Sequence, residues 1–211
     1  MNVLLSTTYF GPIQWYQKLY RADEVAIERC ESFTKQTYRN RCIIATTQGT
    51  QALTVPVERT KADMMTIRIS DHGNWRHLHW NALQSAYGES PFFEYYEDDL
   101  RPFFQPDWEF LFDYNEAIRQ KMCELLDIQP RVRFTDDYVR EAEGDYREII
   151  RPKNAGPDAD FQPRPYYQVY ASKHGFLPNL SILDLLMNMG PESIFWLWRI
   201  LLTKRYKAII S

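Results

Sequence analysis

Cysteine is scarce in this 211-residue chain, and the three present, Cys30, Cys42 and Cys123, lie far apart with no CxxC pair. That spacing writes in neither a zinc site nor a disulfide framework, and an odd count favours reduced thiols in a cytoplasmic compartment. An excess of basic charge is also missing. The net charge is −3, so no global field holds nucleic acid or an anionic membrane, and any anion site must be local. Long hydrophobic runs are absent too. Val3-Leu4-Leu5 has no basic flank and no small-residue cleavage site, which gives no sign of export. The segment from Ile194 to Leu202 is about half the length of a bilayer span and is broken by Arg199. Internal repeats and low-complexity tracts are lacking as well.

Apolar and aromatic residues are plentiful, at 45% and 15%, enough for one sizeable core in a single domain over 1–211. The pattern predicts an α/β (or α+β) fold. Residues 1–70 form most of the sheet, 71–130 are helical, and 179–211 supply the last helices. Val3 to Tyr9 reads as a buried strand, Pro12 to Arg21 as a helix with proline in its first turn, and Val25 to Glu28 as a second strand. This β-α-β unit favours a parallel crossover. Tyr38–Ala45 and Ala52–Val57 flank Thr47-Gln48-Gly49-Thr50, a hairpin signal. Met65 to Ile69 reads as a further strand and Val132 to Phe134 as another.

After Asp71 the period lengthens. Trp75, Leu78, His79, Ala82, Leu83 and Ala86 recur at helical steps, predicting a helix over 74–87 with those residues inward. Ser90 to Phe104 reads as short helical turns, and Trp108 to Leu126 as a longer amphipathic helix. The charged, proline-punctuated stretch 141–165 reads as a mobile loop. Ser181 opens a capped helix stopped by Gly190, and a last helix spans Glu192 to Tyr206.

Several polar residues sit where a plain core would not want them. Arg39 and Arg41, two apart, share one face if their segment is a strand, making a fork for a carboxylate or diphosphate, with Asn40 opposite. The plain alternative pairs them with Glu28 or Glu31 on a solvated face. Tyr9, Gln14 and Gln17 flank a strand-to-helix transition, where open α/β sheets bind ligands and a helix start offers amides. His79, on the apolar face of its helix, suits general-base work or a hydrogen-bonded place in the core. His77 and His79 face opposite ways on a helix, so no metal is expected there. Asp184, three residues after Ser181, fits a capping box or a polar site. The aromatic and cationic tail, Phe195 to Lys207, suits helix docking or weak peripheral membrane contact.

Taken together, Tyr9-Phe10-x-Pro12-Ile13, Tyr38-Arg39-Asn40-Arg41, Leu53-Thr54-Val55-Pro56-Val57, Trp75 with His79, Ala86-Tyr87 with Ser90-Pro91-Phe92-Phe93, and Asn179 to Leu186 resemble the WbqC-like family over nearly the whole chain. Gly11 departs from that pattern, which commonly has a second proline there. The resemblance implies a cytoplasmic bacterial protein tied to O-antigen or related glycan assembly, with glycyl or other acyl transfer to an amino sugar as a proposed activity. In that reading Tyr9, Gln14, Gln17, Arg39, Asn40, Arg41 and Asp184 bind a nucleotide-sugar or acyl donor. His79 deprotonates the attacking amine, and amides at the Pro12 helix stabilise the oxyanion. No cofactor is expected. The alternatives are a nucleotide-sugar or glycan-binding module without turnover, or a scaffold using Phe92, Phe93, Tyr95 and Tyr96.

Overall fold

A computed structural model describes residues 2–58 and 61–198. Strand β1 (Asn2–Ser6) leads through a loop into helix α1 (Ile13–Arg21) and back to β2 (Glu24–Glu28), which pairs parallel to β1 with Val3 opposite Val25 and Leu5 opposite Ile27. Val3, Leu4 and Leu5 are all buried, as a parallel strand covered on both faces requires. The third strand, β5 (Val132–Phe134), joins β2 more than a hundred residues later, giving the parallel order β1-β2-β5. On the far side of β1, Leu4 exchanges backbone hydrogen bonds with Gly144 and Tyr146, so the chain itself covers that sheet edge.

A separate hairpin, β3 (Arg41–Thr46) with β4 (Gly49–Thr54), closes at Gly49, whose φ of 109° only glycine adopts readily. The hairpin starts three residues later than the sequence pattern predicts, because Tyr38, Arg39 and Asn40 form turns. The strand expected over Met65–Ile69 is a 3₁₀ turn, Met64–Thr66, followed by single bridges from Arg68 to Phe110 and from Ile69 to Val57. Helices α2 (Trp75–Tyr87), α3 (Phe93–Leu100) and α4 (Leu111–Leu125) follow, with a 3₁₀ turn at Arg101–Phe104. The buried stripe of α2 is rotated from expectation. Trp80 and Tyr87 point inward while Leu78 is 58% exposed.

Residues 141–165 contain neither helix nor strand, as their proline content dictates. The segment is tied down at Asp158, whose carboxylate meets Lys18 Nζ and Gln14 Nε2 at 2.8 Å each. After a short helix α5 (Ala171–His174), α6 (Ile182–Met189) has the predicted ends: Ser181 Oγ accepts from Leu183 N–H, and Gly190 stops the helix at φ 55°. Its start docks on the β1–α1 loop, with Ser181 Oγ donating to Phe10 O at 2.7 Å and Ile182 N to Gly11 O at 2.9 Å. Gly11 belongs there, since a Cβ at that position would overlap Thr8 Oγ1. A 3₁₀ turn and helix α7 (Ile194–Leu197) complete the described chain. The tail residues Lys204, Arg205 and Lys207 lie outside the described residues.

Candidate functional site

The carboxyl edge of the parallel sheet, where the sequence places a ligand, is filled by the protein's own charges. Arg39 is buried and donates from Nε to Glu31 Oε1 at 2.8 Å and from Nη2 to Ser6 Oγ at 2.9 Å, with a second contact to Glu31 Oε2. Beside it, Glu28 at the end of β2 accepts from Thr135 Oγ1 at 2.6 Å and from Arg147 Nη1 at 3.3 Å, and Arg147 also grips Asp145. The crevice between them holds about 10 Å³, the room of a single water. Arg41 does not join this cluster. It opens β3 and donates to Thr54 Oγ1 at 3.0 Å, so the expected two-arginine fork does not form. Asn40 ties the loop to the hairpin through Val55 O at 2.8 Å.

The start of α1 is equally occupied. Ile13 N–H is taken by Leu180 O and Gln14 N–H by Asn179 Oδ1, both at 3.0 Å, so the amides expected to serve an oxyanion are spent inside the fold. Gln14 also accepts from Asn179 and donates to Asp158, and Gln17 donates to Trp196 O at 3.0 Å.

His79 is 5% exposed, against Tyr9 and Trp75. Burial pushes its pKa down to about 4, opposed by a hydrogen bond to the Thr54 backbone. Nδ1 is hydrogen-bonded to Tyr9 Oη at 2.9 Å. Buried and tied to that phenol, the ring is closed to an incoming amine. Asp184 is also buried. Instead of a backbone amide, its carboxylate accepts from Tyr166 Oη at 2.6 Å, Tyr87 Oη at 3.0 Å and Gln168 Nε2 at 3.1 Å, and burial raises its pKa despite these donors. The expected site residues therefore occupy separate internal joints. The aromatic surface expected for a scaffold is broken up as well, since Phe93 and Tyr96 are core residues and Tyr95 alone stands out.

Open space lies elsewhere, in a cleft of about 480 Å³ between the start of α2 and the 101–106 turn. That is within the range of small-molecule sites, roughly 300–1,000 Å³. Its walls carry two guanidiniums laid on indoles: Arg76 Cζ is 4.6 Å from the Trp75 ring, and Arg101 Cζ 5.7 Å from the Trp80 ring. His77, exposed, hydrogen-bonds Asn81 and faces the same space. Asp71 at the rim pairs with Arg76. Two donors in these walls, Arg76 Nε and Trp80 Nε1, are buried with no partner among the described residues. An unmade buried hydrogen bond costs about 1–3 kcal/mol, so an acceptor arriving there has a reason to stay. The sequence reading missed this cleft; its local signal is the Asn74-Trp75-Arg76-His77 run at the predicted helix start.

Among the described residues, no group of three or more His, Cys, Asp and Glu is placed to hold a metal, and no helix is long and apolar enough to cross a membrane. No solved structure matches the chain. A protein of Mycobacterium tuberculosis (strain ATCC 25618 / H37Rv), named "Uncharacterized protein Rv1507c", is 27% identical over 218 residues, covering 90% of this chain and 94% of the relative. The WbqC-like family profile matches residues 7–153 and 151–195, and the chain belongs to the WbqC-like protein family.

Proposed function

We propose that the cleft binds an anionic sugar nucleotide of surface-polysaccharide (O-antigen-like) assembly, and that the chain acts as a binding module for that donor. One observation carries this reading: a cleft of about 480 Å³ is walled by Arg76, Arg101 and His77 and has two buried donors without acceptors in its walls. Such a wall suits a ligand rich in oxygen acceptors and negative charge. Arg76, stacked on Trp75 with its side chain 11% exposed, is held in direction before a ligand arrives, which lowers the ordering cost of binding.

Glycyl or other acyl transfer to an amino sugar is the second reading, favoured by the imidazole of His77 in the cleft. His79, buried, tied to Tyr9 and not part of the cleft lining, gives that reading no base.

Thermal unfolding in the presence of a panel of nucleotide sugars, free sugars and amino acids tests both. A ligand at a hundred times its Kd adds about 2.7 kcal/mol, or roughly 5–10 °C for a chain of this size. Stabilisation by a nucleotide sugar that is lost in Arg101→Ala supports the module. Turnover of an activated glycyl donor that is abolished by His77→Ala supports the transferase. A panel in which no nucleotide sugar shifts the midpoint overturns the donor reading.

A further inference from the structure

The first turn of α2 forms one wall of the cleft; it follows a 3₁₀ turn at His72–Asn74 and has no side-chain cap. Asn74, at the N-cap, is left-handed at φ 48° and ψ 36°, its side chain makes no capping hydrogen bond, and the first turn contains no acidic residue. The amides of Arg76 and His77 are among those that have no carbonyl one turn back within the helix. Thirteen residues of aligned peptide dipoles therefore end on a positive pole, where the internal counter-charge is the exposed Asp71 carboxylate paired with Arg76. Two further observations point to the same space. Trp80, 7% exposed and in the cleft wall, has its Nε1 buried without a partner. Arg76, whose guanidinium is stacked on Trp75, likewise keeps its Nε unpartnered.

We propose that this corner is a phosphate-binding site, formed by the Arg76 and His77 amides, the Arg76 guanidinium edge and the Trp80 indole N–H. The proposal rests on the donor reading above and adds which part of the ligand goes where: the phosphate at the start of α2, the remainder toward Arg101 and Gln105. The chemistry favours an acceptor-rich, anionic group on the ligand side, because the groups assigned to the corner are donors and the one charged acceptor there is the Asp71 carboxylate. Asp71 is paired to Arg76 and 79% exposed at the rim. It therefore competes with the anion for that guanidinium, and its removal strengthens binding.

Inorganic pyrophosphate, titrated by calorimetry at constant ionic strength against chloride, is the probe. Wild-type protein binds it. Arg76→Gln weakens binding about tenfold, the value of one charge-assisted contact. Trp80→Phe, which keeps the ring and removes the N–H, weakens binding several-fold with an unchanged unfolding midpoint, and Asp71→Asn tightens it several-fold. Asp71→Asn is read as a gain, so a folding defect in another variant does not mask the result.

Pyrophosphate no better than chloride overturns the site, as does binding that none of the three substitutions alters. Pyrophosphate binding with this pattern, while nucleotide sugars bind no tighter than pyrophosphate itself, keeps the phosphate site and overturns the donor reading. Nucleotide-sugar binding that is indifferent to Arg76→Gln and Trp80→Phe does the reverse.

Discussion

Removing the Arg39 side chain as Arg39→Met separates a structural role from a ligand-binding one. In the folded chain the Arg39 and Glu31 side chains are 4% and 6% exposed, joined by two nitrogen-to-oxygen contacts, with Ser6 Oγ completing the cluster. The Arg39 carbonyl is held separately by Asn115 Nδ2 at 2.8 Å, so the backbone keeps an anchor when the side chain is cut back. Arg39→Met leaves a buried carboxylate with one hydroxyl donor, from Ser6, and the charge of Arg147 without a direct hydrogen bond. Stranding a charge in this way costs about 3–5 kcal/mol. For a chain of this length that lowers the melting midpoint by roughly 6–20 °C. Replacing both partners, Arg39→Met with Glu31→Leu, strands no charge and only the Ser6 hydroxyl, so it recovers most of the loss. Urea unfolding followed by far-UV circular dichroism gives each value, with an unchanged slope showing that the same surface is exposed. If Arg39→Met unfolds within about 0.5 kcal/mol of wild type while nucleotide-sugar affinity disappears, the pair is not structural and Arg39 belongs to a ligand after all.

His79 makes stability depend on acid. Its folded pKa of about 4 lies below the unfolded value of roughly 6.5, so between these the unfolded chain binds the extra proton and stability falls as pH drops. The loss at pH 5 relative to pH 8 is about 2 kcal/mol; His79→Gln flattens that part of the pH–stability curve, and an unaltered curve refutes the assignment. Asp158→Ala strands Lys18, which is 5% exposed and lies 4.3 Å from the Tyr146 ring centroid. Hydrogen exchange then accelerates across residues 141–165 while β1, β2 and α4 stay protected, and uniform exchange across all of them counts against Asp158 as the local tie.

The elements that the sequence foretold are those whose causes are local. β1 and β2 are short apolar strands around a proline-led helix, the hairpin needs Gly49, and α6 begins at a hydroxyl cap and ends at a left-handed glycine. Where the cause is distant, local reading fails in a specific way. Tyr38-Arg39-Asn40 looks like the start of a strand, yet Glu31 and Ser6 draw the arginine inward and the hairpin starts only at Arg41. In α2 the helical period is right and its phase is wrong, because Trp80 finds Phe93 and Phe104 to pack on and turns Leu78 out to solvent.

The site itself is illegible in the sequence for a related reason. Polar residues in apolar surroundings resemble ligand groups because burying them is expensive. In the fold that cost is met internally: Tyr9 by His79, Arg39 by Glu31, Gln14 by Asp158, and Asp184 by Tyr87 and Tyr166. Expensive placement thus marks the joints that lock the β1–α1 loop, the hairpin and α6 together. A candidate site is marked instead by buried donors with no acceptor beside an open cleft; Trp108 Nε1 and Arg151 Nε, also unpartnered among the described residues, lie outside this cleft's lining. Arg76 Nε and Trp80 Nε1 meet that condition in the wall of one cleft, which two segments about thirty residues apart must come together to form, and no spacing rule within either segment contains it.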